Sequence, residues 1–264
     1  MLNISKNKLK EKLNLFKGRE IVVISDFDGT LTKKYSKNKK FINSISVFRN
    51  TNFLDKIYVE ESEKMFKYYY NIEINPLISS LKKHKLMLEW WEKEFVLLKK
   101  YNLNKEIISK ILLENHINIK ESFDLFMNLF NEHRLIIFSG GIKNIIEFYF
   151  KNHSNKKINL IANEIFIDKP KFFNKKNIIV ATNKNEEYLK RCHIELYKEI
   201  KDKPIIILGD NIHDTEIFLN KNNAIRILLC SKKEDLSNYR SIDFLIENKD
   251  DLNGVLKLIK RLLY

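Results

Sequence analysis

SDFDGTLT, residues 25–32, follows directly on the apolar run EIVVI (20–24) and sets two carboxylates two positions apart, with Gly29 and Thr30 behind them. Two readings are open on these residues alone. Asp, Gly and Thr are ordinary turn formers, so the stretch can be a plain strand exit. It can also be a site for a divalent metal and a phosphate. On a strand, side chains two apart share a face, so Asp26 and Asp28 look one way while Phe27 enters the core. Like-charged carboxylates held close are unfavourable unless a cation joins them.

Apolar runs of the same kind recur as RLIIFSG (134–140), INLIANEIFI (158–167), NIIVAT (177–182), PIIILGD (204–210), AIRILLC (224–230) and DFLIE (243–247). Short and almost uniformly apolar, they read as strands buried on both faces, the mark of a parallel sheet. Helix-period segments at 142–152, 185–200, 213–220 and 252–262 separate them. The expected fold is therefore α/β, a doubly wound parallel sheet. From 41 to 132 the alternation stops. EESEKMFKYYYNIEINP and HKLMLEWWEKEFVLLKK, divided by Pro76, read as helices. The expected organisation is a core of residues 1–40 and 133–264, interrupted after its first strand by a helical cap, 41–132.

Composition narrows the class. With 264 residues, the chain holds one large domain or one domain with an insertion. Lysine and arginine total 48 against 34 acidic residues, 48 − 34 = +14. That balance suits nucleic acid, a membrane surface or an anionic small substrate, but the lysines are spread along the whole chain, and nucleic acid is not expected as a partner. Cys192 and Cys230 stand alone, outside any metal-ligand or disulfide spacing, and are expected to be small buried residues. No apolar run approaches the ~18 residues of a membrane span, and the amino terminus lacks a signal-peptide core. A soluble, cytoplasmic protein is expected; the oligomeric state is not legible.

In open α/β sheets, ligands bind beyond the carboxyl ends of the strands. Asp26 and Asp28 lie at such an end, and three other strand ends add complementary groups. Ser139, Gly140 and Gly141 precede a helix expected from about Ile142, an arrangement that can cradle a phosphate or simply cap the helix. Lys184 follows NIIVAT. Asp210 ends PIIILGD, with Asp214 on the next helical turn. These hard oxygen ligands suit Mg²⁺ and not zinc. The order DxDGT, SGG, Lys, GDxxxD across separate strands carries the argument; no single motif does.

With these motifs the chain resembles the haloacid dehalogenase-like superfamily of phosphohydrolases. More narrowly, DFDGTLT, YYYNIEINP, EWWEKEF, FSGGIKNIIE, ATNKN and ILGDNIHD make it similar to cytosolic 5′-nucleotidase III, the pyrimidine 5′-nucleotidase family, over roughly residues 20 to 220. The resemblance implies a Mg²⁺-dependent 5′-nucleotidase acting on nucleoside 5′-monophosphates, pyrimidine ones by preference. It implies Asp26 as nucleophile and Asp28 as proton donor and acceptor. The metal would be held by Asp26, the main-chain carbonyl of Asp28, and Asp210. Ser139 and the Gly140 amide would hold phosphoryl oxygens, Lys184 would screen charge, and Asp214 would support the metal waters or Lys184.

The cap is expected to read the leaving group. In the similar family the glutamate of IEINP contacts the base, which implies Glu73 here; alone, Glu73 reads equally as a solvated helix end. A carboxylate accepts hydrogen bonds and favours an exocyclic amine such as that of cytosine. Trp90 and Trp91 offer stacking faces, with one expected in the cap core and one at its edge. Three residues after the second aromatic the family carries Ser; here it is Glu94, which removes a hydroxyl near the substrate. KKYSKNKKF (33–41), with five lysines, reads as a solvated loop or an electrostatic guide for phosphate esters. His213 reads as a helix-start residue near the site. The competing functions are a small-metabolite phosphatase such as phosphoserine phosphatase, phosphotransfer to another nucleoside, and a nucleic-acid-binding protein with an inert phosphatase fold.

Overall fold

The computed structural model describes residues 6–36, 40–114, 117–131, 134–153, 158–167, 169–230 and 242–263. Six strands, β1 (Val22–Ser25), β2 (Arg134–Ile142), β3 (Asn159–Asn163), β4 (Ile205–Gly209), β5 (Ala224–Cys230) and β6 (Phe244–Glu247), form one parallel sheet in the order β3-β2-β1-β4-β5-β6. The helices in chain order are α1 (Lys6–Phe16), α2 (Ser46–Asn50), α3 (Lys56–Ile74), α4 (Ser80–Lys100), α5 (Lys105–Leu113), α6 (Phe123–Asn128), α7 (Lys143–His153), α8 (Glu186–Cys192), α9 (Ile194–Ile200), α10 (Ile212–Thr215) and α11 (Asn253–Leu263).

The strands' uniform apolarity has the expected cause. Val23, Ile206 and Leu208 enter one apolar core, while Val22, Ile24, Ile205 and Ile207 enter the other. Alternate side chains thus face opposite layers, and both layers are buried. β1 lies between β2 and β4, with Val23 opposite both Leu135 and Ile206. This central position brings its exit, Asp26 to Thr32, between the ends of its two neighbours.

Residues 177–182 are not a strand. They run through 3-10 turns at Lys175–Asn177 and Ala181–Asn183, although Ile178, Ile179 and Val180 are buried. The Asn163 side chain supplies the reason. Its Oδ1 accepts from Ile179 N at 2.8 Å and its Nδ2 donates to Ile179 O at 2.8 Å. Asn183 likewise accepts from Val180 N and donates to Ile178 O, at 2.8 and 2.9 Å. Side-chain amides satisfy the backbone groups that a neighbouring strand would otherwise take. The expected helix 185–200 is two helices broken at His193 (φ −140°, ψ 50°). The expected helix 213–220 shortens to α10, and Phe218 beyond it has φ +57°.

The insertion is dominated by the hairpin of α3 and α4. Asp55 caps α3 by accepting from Ile57 N at 2.7 Å, and Ser79 caps α4 by accepting from Lys82 N at 3.4 Å. Tyr58 bonds Glu94 while Tyr69 bonds Glu89, so the helices run antiparallel. The chain comes back beside its point of departure: Lys33 N donates to Asn118 O at 2.7 Å and Lys120 N to Leu31 O at 3.0 Å. α5 then packs on α7 of the sheet layers. No helix among the described residues is long and apolar enough to cross a membrane.

Candidate active site

Asp26 is buried at the end of β1, and Lys184, 3% exposed, reaches it from the turn after Val180. Lys184 Nζ donates to Asp26 Oδ1 at 2.7 Å and also to Asp214 Oδ1. Asp214 Oδ2 accepts from Asn211 N at 3.0 Å, closing the capping box of α10. Asp210 lies beside them, accepting from Thr30 Oγ1 at 3.3 Å and pairing with Lys34 at 2.8 Å. Carboxylate oxygens of Asp26, Asp210 and Asp214 all lie within 4.8 Å of one another. Three hard oxygen donors this close fit a divalent cation.

Gly29 lets the loop fold over this cluster. Its φ is +75°, and a Cβ there would stand 2.6 Å from Asp210 Oδ2. Both conformation and space therefore require glycine.

The Asp28 carboxylate is held separately. Ser44 donates to it twice, from its N to Oδ1 at 2.8 Å and from its Oγ to Oδ2 at 2.5 Å. Burial pushes the Asp28 carboxyl up to about 6 against those two donors. Asp26 is pushed up to about 8, chiefly by burial, which outweighs the lowering by Lys184. Lys184 is raised because the charges of Asp214 and Asp26 outweigh its own burial.

Ser139 Oγ accepts from Gly141 N at 3.0 Å, near the carboxyl end of β2. Ser139, Gly140, Asp26, Asp28, Lys184, Asp210 and Asp214 line one cavity of about 480 Å³. Glu73 of α3 and Trp90 and Trp91 of α4 line the same cavity. Glu73 is raised by burial, which Lys83 and His213 oppose. Trp90 stacks on Tyr69 (centroids 5.8 Å, planes 8° apart) and Trp91 tilts against Phe95. The expected division into one core and one edge tryptophan does not hold. Both are partly buried and both face the cavity, because α4 lies along its wall.

Glu94 does not line the cavity; it is 2% exposed between α3 and α4. His213 does line it, its Nδ1 2.8 Å from Glu216 Oε2. In the lysine-rich segment, Lys33 pairs with Glu121 and Asp250 at 3.6 and 3.5 Å and Lys34 with Asp210. These two are ion-paired rather than merely solvated; residues 37–39 lie outside the described residues. Cys192 and Cys230 are partly exposed rather than buried, at the margins of apolar clusters.

Ser44 and Lys34 are two neighbours of the site carboxylates that motif reading did not single out. Ser44 lies in the irregular stretch NSIS, which has no pattern of its own. Lys34 was one of the segment's five lysines, distinguished only by the fold that turns it toward Asp210.

A six-stranded parallel sheet with helices on both faces and carboxylates gathered at the strand ends is the architecture of haloacid dehalogenase-like phosphatases. Its backbone superposes on the phospho-aspartyl intermediate analogue of phosphoserine phosphatase with a TM-score of 0.54 and 19% identity, covering 91% of this chain and 99% of that one. A closer superposition, TM-score 0.78 at 20% identity, is with cytosolic 5′-nucleotidase IIIB bound to cytidine, covering 98% of this chain and 93% of that one. The model of the pyrimidine 5′-nucleotidase (UMPH-1) family matches residues 29–263, and the chain belongs to that family. It is thus a member of a family of phosphoric monoester hydrolases. A Xenopus laevis protein named 7-methylguanosine phosphate-specific 5′-nucleotidase A is 28% identical over 258 residues, 91% of this chain and 88% of its own length. The Homo sapiens 7-methylguanosine phosphate-specific 5′-nucleotidase is 27% identical over 261 residues, 93% and 86% respectively.

Proposed function

We propose that this protein hydrolyses nucleoside 5′-monophosphates to nucleoside and phosphate, with Mg²⁺ as cofactor, Asp26 as nucleophile and a cap within residues 41–132 that selects the base. The observation that carries the reading is the single cavity joining the Asp26–Lys184–Asp214 cluster and Asp210 to Glu73, Trp90 and Trp91. Phosphate monoester hydrolysis needs up to ~10²¹-fold acceleration, and one acid or base supplies only ~10²–10⁴. A nucleophile, a proton donor and fixed cations must therefore act together.

In this reading an Asp26 carboxylate oxygen attacks phosphorus and the bond to the 5′-oxygen breaks, forming an aspartyl-phosphate. Asp28, raised to about 6 by burial, gives its proton to the leaving oxygen. It then takes a proton from the water that attacks phosphorus, which releases phosphate and restores Asp26. Ser139 and the Gly140 amide hold phosphoryl oxygens, and Lys184, kept in place by Asp214, balances their charge. Asp26, Asp210 and the Asp28 main-chain carbonyl would hold Mg²⁺, which when bound supplies Lewis-acid charge to phosphate and keeps Asp26 ionised.

Glu73 accepts hydrogen bonds, which favours the exocyclic amine of cytosine and supports a pyrimidine preference. A specific observation supports 7-methylguanosine monophosphate as a second reading: the Xenopus and human relatives carry that specificity in their names. Guanine also presents an amine to a carboxylate, and its methylated, cationic ring suits a tryptophan face. Phosphate release from CMP, UMP, AMP, GMP, 7-methylguanosine monophosphate and phosphoserine, with Mg²⁺ and with chelator, tests the function. Mg²⁺-dependent release from CMP ahead of UMP is expected. Preference for phosphoserine would overturn the base-reading cap.

A further inference from the structure

Glu94 is a buried carboxylate with no described ion pair. Its Oε1 accepts from Tyr58 OH and from Ser62 Oγ, each at 2.8 Å, while its Oε2 is buried without a hydrogen-bond partner among the described residues. Burial raises its pKa; the two hydroxyls and the charge of Arg49 oppose the rise. An unpaired buried carboxyl is costly, and two apolar side chains would join the helices at lower cost. What distinguishes this position is the face on which it lies.

Tyr58, Ser62, Phe66, Tyr70 and Glu73 succeed one another on α3 at steps of four, four, four and three, which makes them one helical face. Its first two members bond Glu94; its last three line the substrate cavity. On α4, Trp90 precedes Glu94 by one turn and also lines the cavity. Arg49, 7% exposed on α2, sets its guanidinium 4.2 Å from the Phe66 ring centroid. Trp90 meets Phe66 at 6.1 Å. Trp90 Nε1 is itself buried without a partner among the described residues, on the same helix one turn before Glu94.

We infer that Glu94 is a positioning residue for base recognition: through Tyr58 and Ser62 it fixes the separation and register of α3 and α4, and so the Phe66–Trp90 wall against which the base rests. The inference rests on the nucleotidase reading above. It also assigns a role to the position where the family resemblance leads one to expect serine: support behind the wall instead of contact with substrate.

The test is steady-state kinetics of wild type, Glu94→Ala, Glu94→Gln and Tyr58→Phe. Substrates are CMP, 7-methylguanosine monophosphate and p-nitrophenyl phosphate, with melting temperatures and tryptophan quenching by cytidine recorded alongside. Glu94→Ala should raise KM for the preferred nucleotide about tenfold, the scale of one misaligned base-stacking contact, with p-nitrophenyl phosphate turnover within about twofold. Glu94→Gln keeps the acceptor and should restore most of the KM, and Tyr58→Phe should raise it severalfold. If Glu94→Ala fails to fold, Tyr58→Phe decides: an unchanged nucleotide KM overturns the inference. A folded Glu94→Ala enzyme with unchanged nucleotide KM, or with equal losses on all substrates, also overturns it. The nucleotidase reading fails separately, if wild type turns over p-nitrophenyl phosphate as well as either nucleotide.

Discussion

Replacing Lys184 by Met removes the cation between Asp26 and Asp214 while keeping most of the side chain's volume. The wild-type ammonium is 3% exposed and bonded to both carboxylates. Without it, oxygens of Asp26, Asp210 and Asp214 face one another within 4.8 Å. At an effective dielectric constant of ~20, two unit charges at that separation repel by about 332/(20 × 4.8), or ~3.5 kcal/mol. Breaking a buried pair by deleting one partner costs about 3–5 kcal/mol. At roughly 2–4 °C per kcal/mol for a chain near this size, the melting temperature in chelator should fall by about 6–20 °C. Divalent ion should recover more of that loss in Lys184→Met than it adds to wild type, because it supplies charge to the same carboxylates. Turnover should stay depressed by about 10²–10³ even at saturating metal, the cost of losing one fixed positive group at the reacting oxygens. Paired melting curves and phosphate-release assays read both effects. A variant with wild-type stability in chelator and turnover within threefold would refute the reasoning.

Glu73→Ala should raise KM for the preferred nucleotide while leaving a generic aryl phosphate nearly unaffected; equal effects on both would remove Glu73 from base reading. Gly29→Ala, which places a Cβ 2.6 Å from Asp210 Oδ2 at a φ of +75°, should weaken divalent-ion binding in calorimetric titration; unchanged affinity would mean the loop yields. Glu94 has a folded pKa raised above its ordinary 4.5 by burial, so the unfolded chain releases this proton first. Its stability contribution is therefore fully present below about pH 4.5 and is lost as pH rises through the folded value. Urea midpoints of wild type should fall relative to Glu94→Gln between pH 4 and pH 7, and a constant difference would contradict the burial argument.

The sheet was legible because strands covered on both faces leave a nearly unbroken apolar record, as in PIIILGD and AIRILLC. NIIVAT left the same record and is no strand, because burial alone does not specify a hydrogen-bond partner and Asn163 took that role from 16 residues away. Among site residues, Asp26, Ser139 and Asp210 were visible because strand ends are where such a sheet collects ligands, whereas Lys184 was placed there by an expected strand that is instead a 3-10 turn and reaches Asp26 from it. Their meeting in one cavity follows from the strand order that sets β1 between β2 and β4. Ser44 and Lys34 were not visible: each acts through a contact made only after the chain folds back on the DFDGT turn. Glu94 looked like a lost substrate contact. Helical periodicity places it one turn from Trp90, but not on which side of the wall it falls.

The most direct measurement is acid quenching of a single turnover with substrate labelled in its 5′-phosphate, using wild type, Asp26→Asn and Asp28→Asn in Mg²⁺. The account predicts label bound covalently at residue 26 in wild type, accumulated in Asp28→Asn if water activation slows more than attack, and absent from a folded Asp26→Asn protein that releases no phosphate. A folded Asp26→Asn enzyme that still turns over nucleotide, or label attached to any other residue, would contradict it.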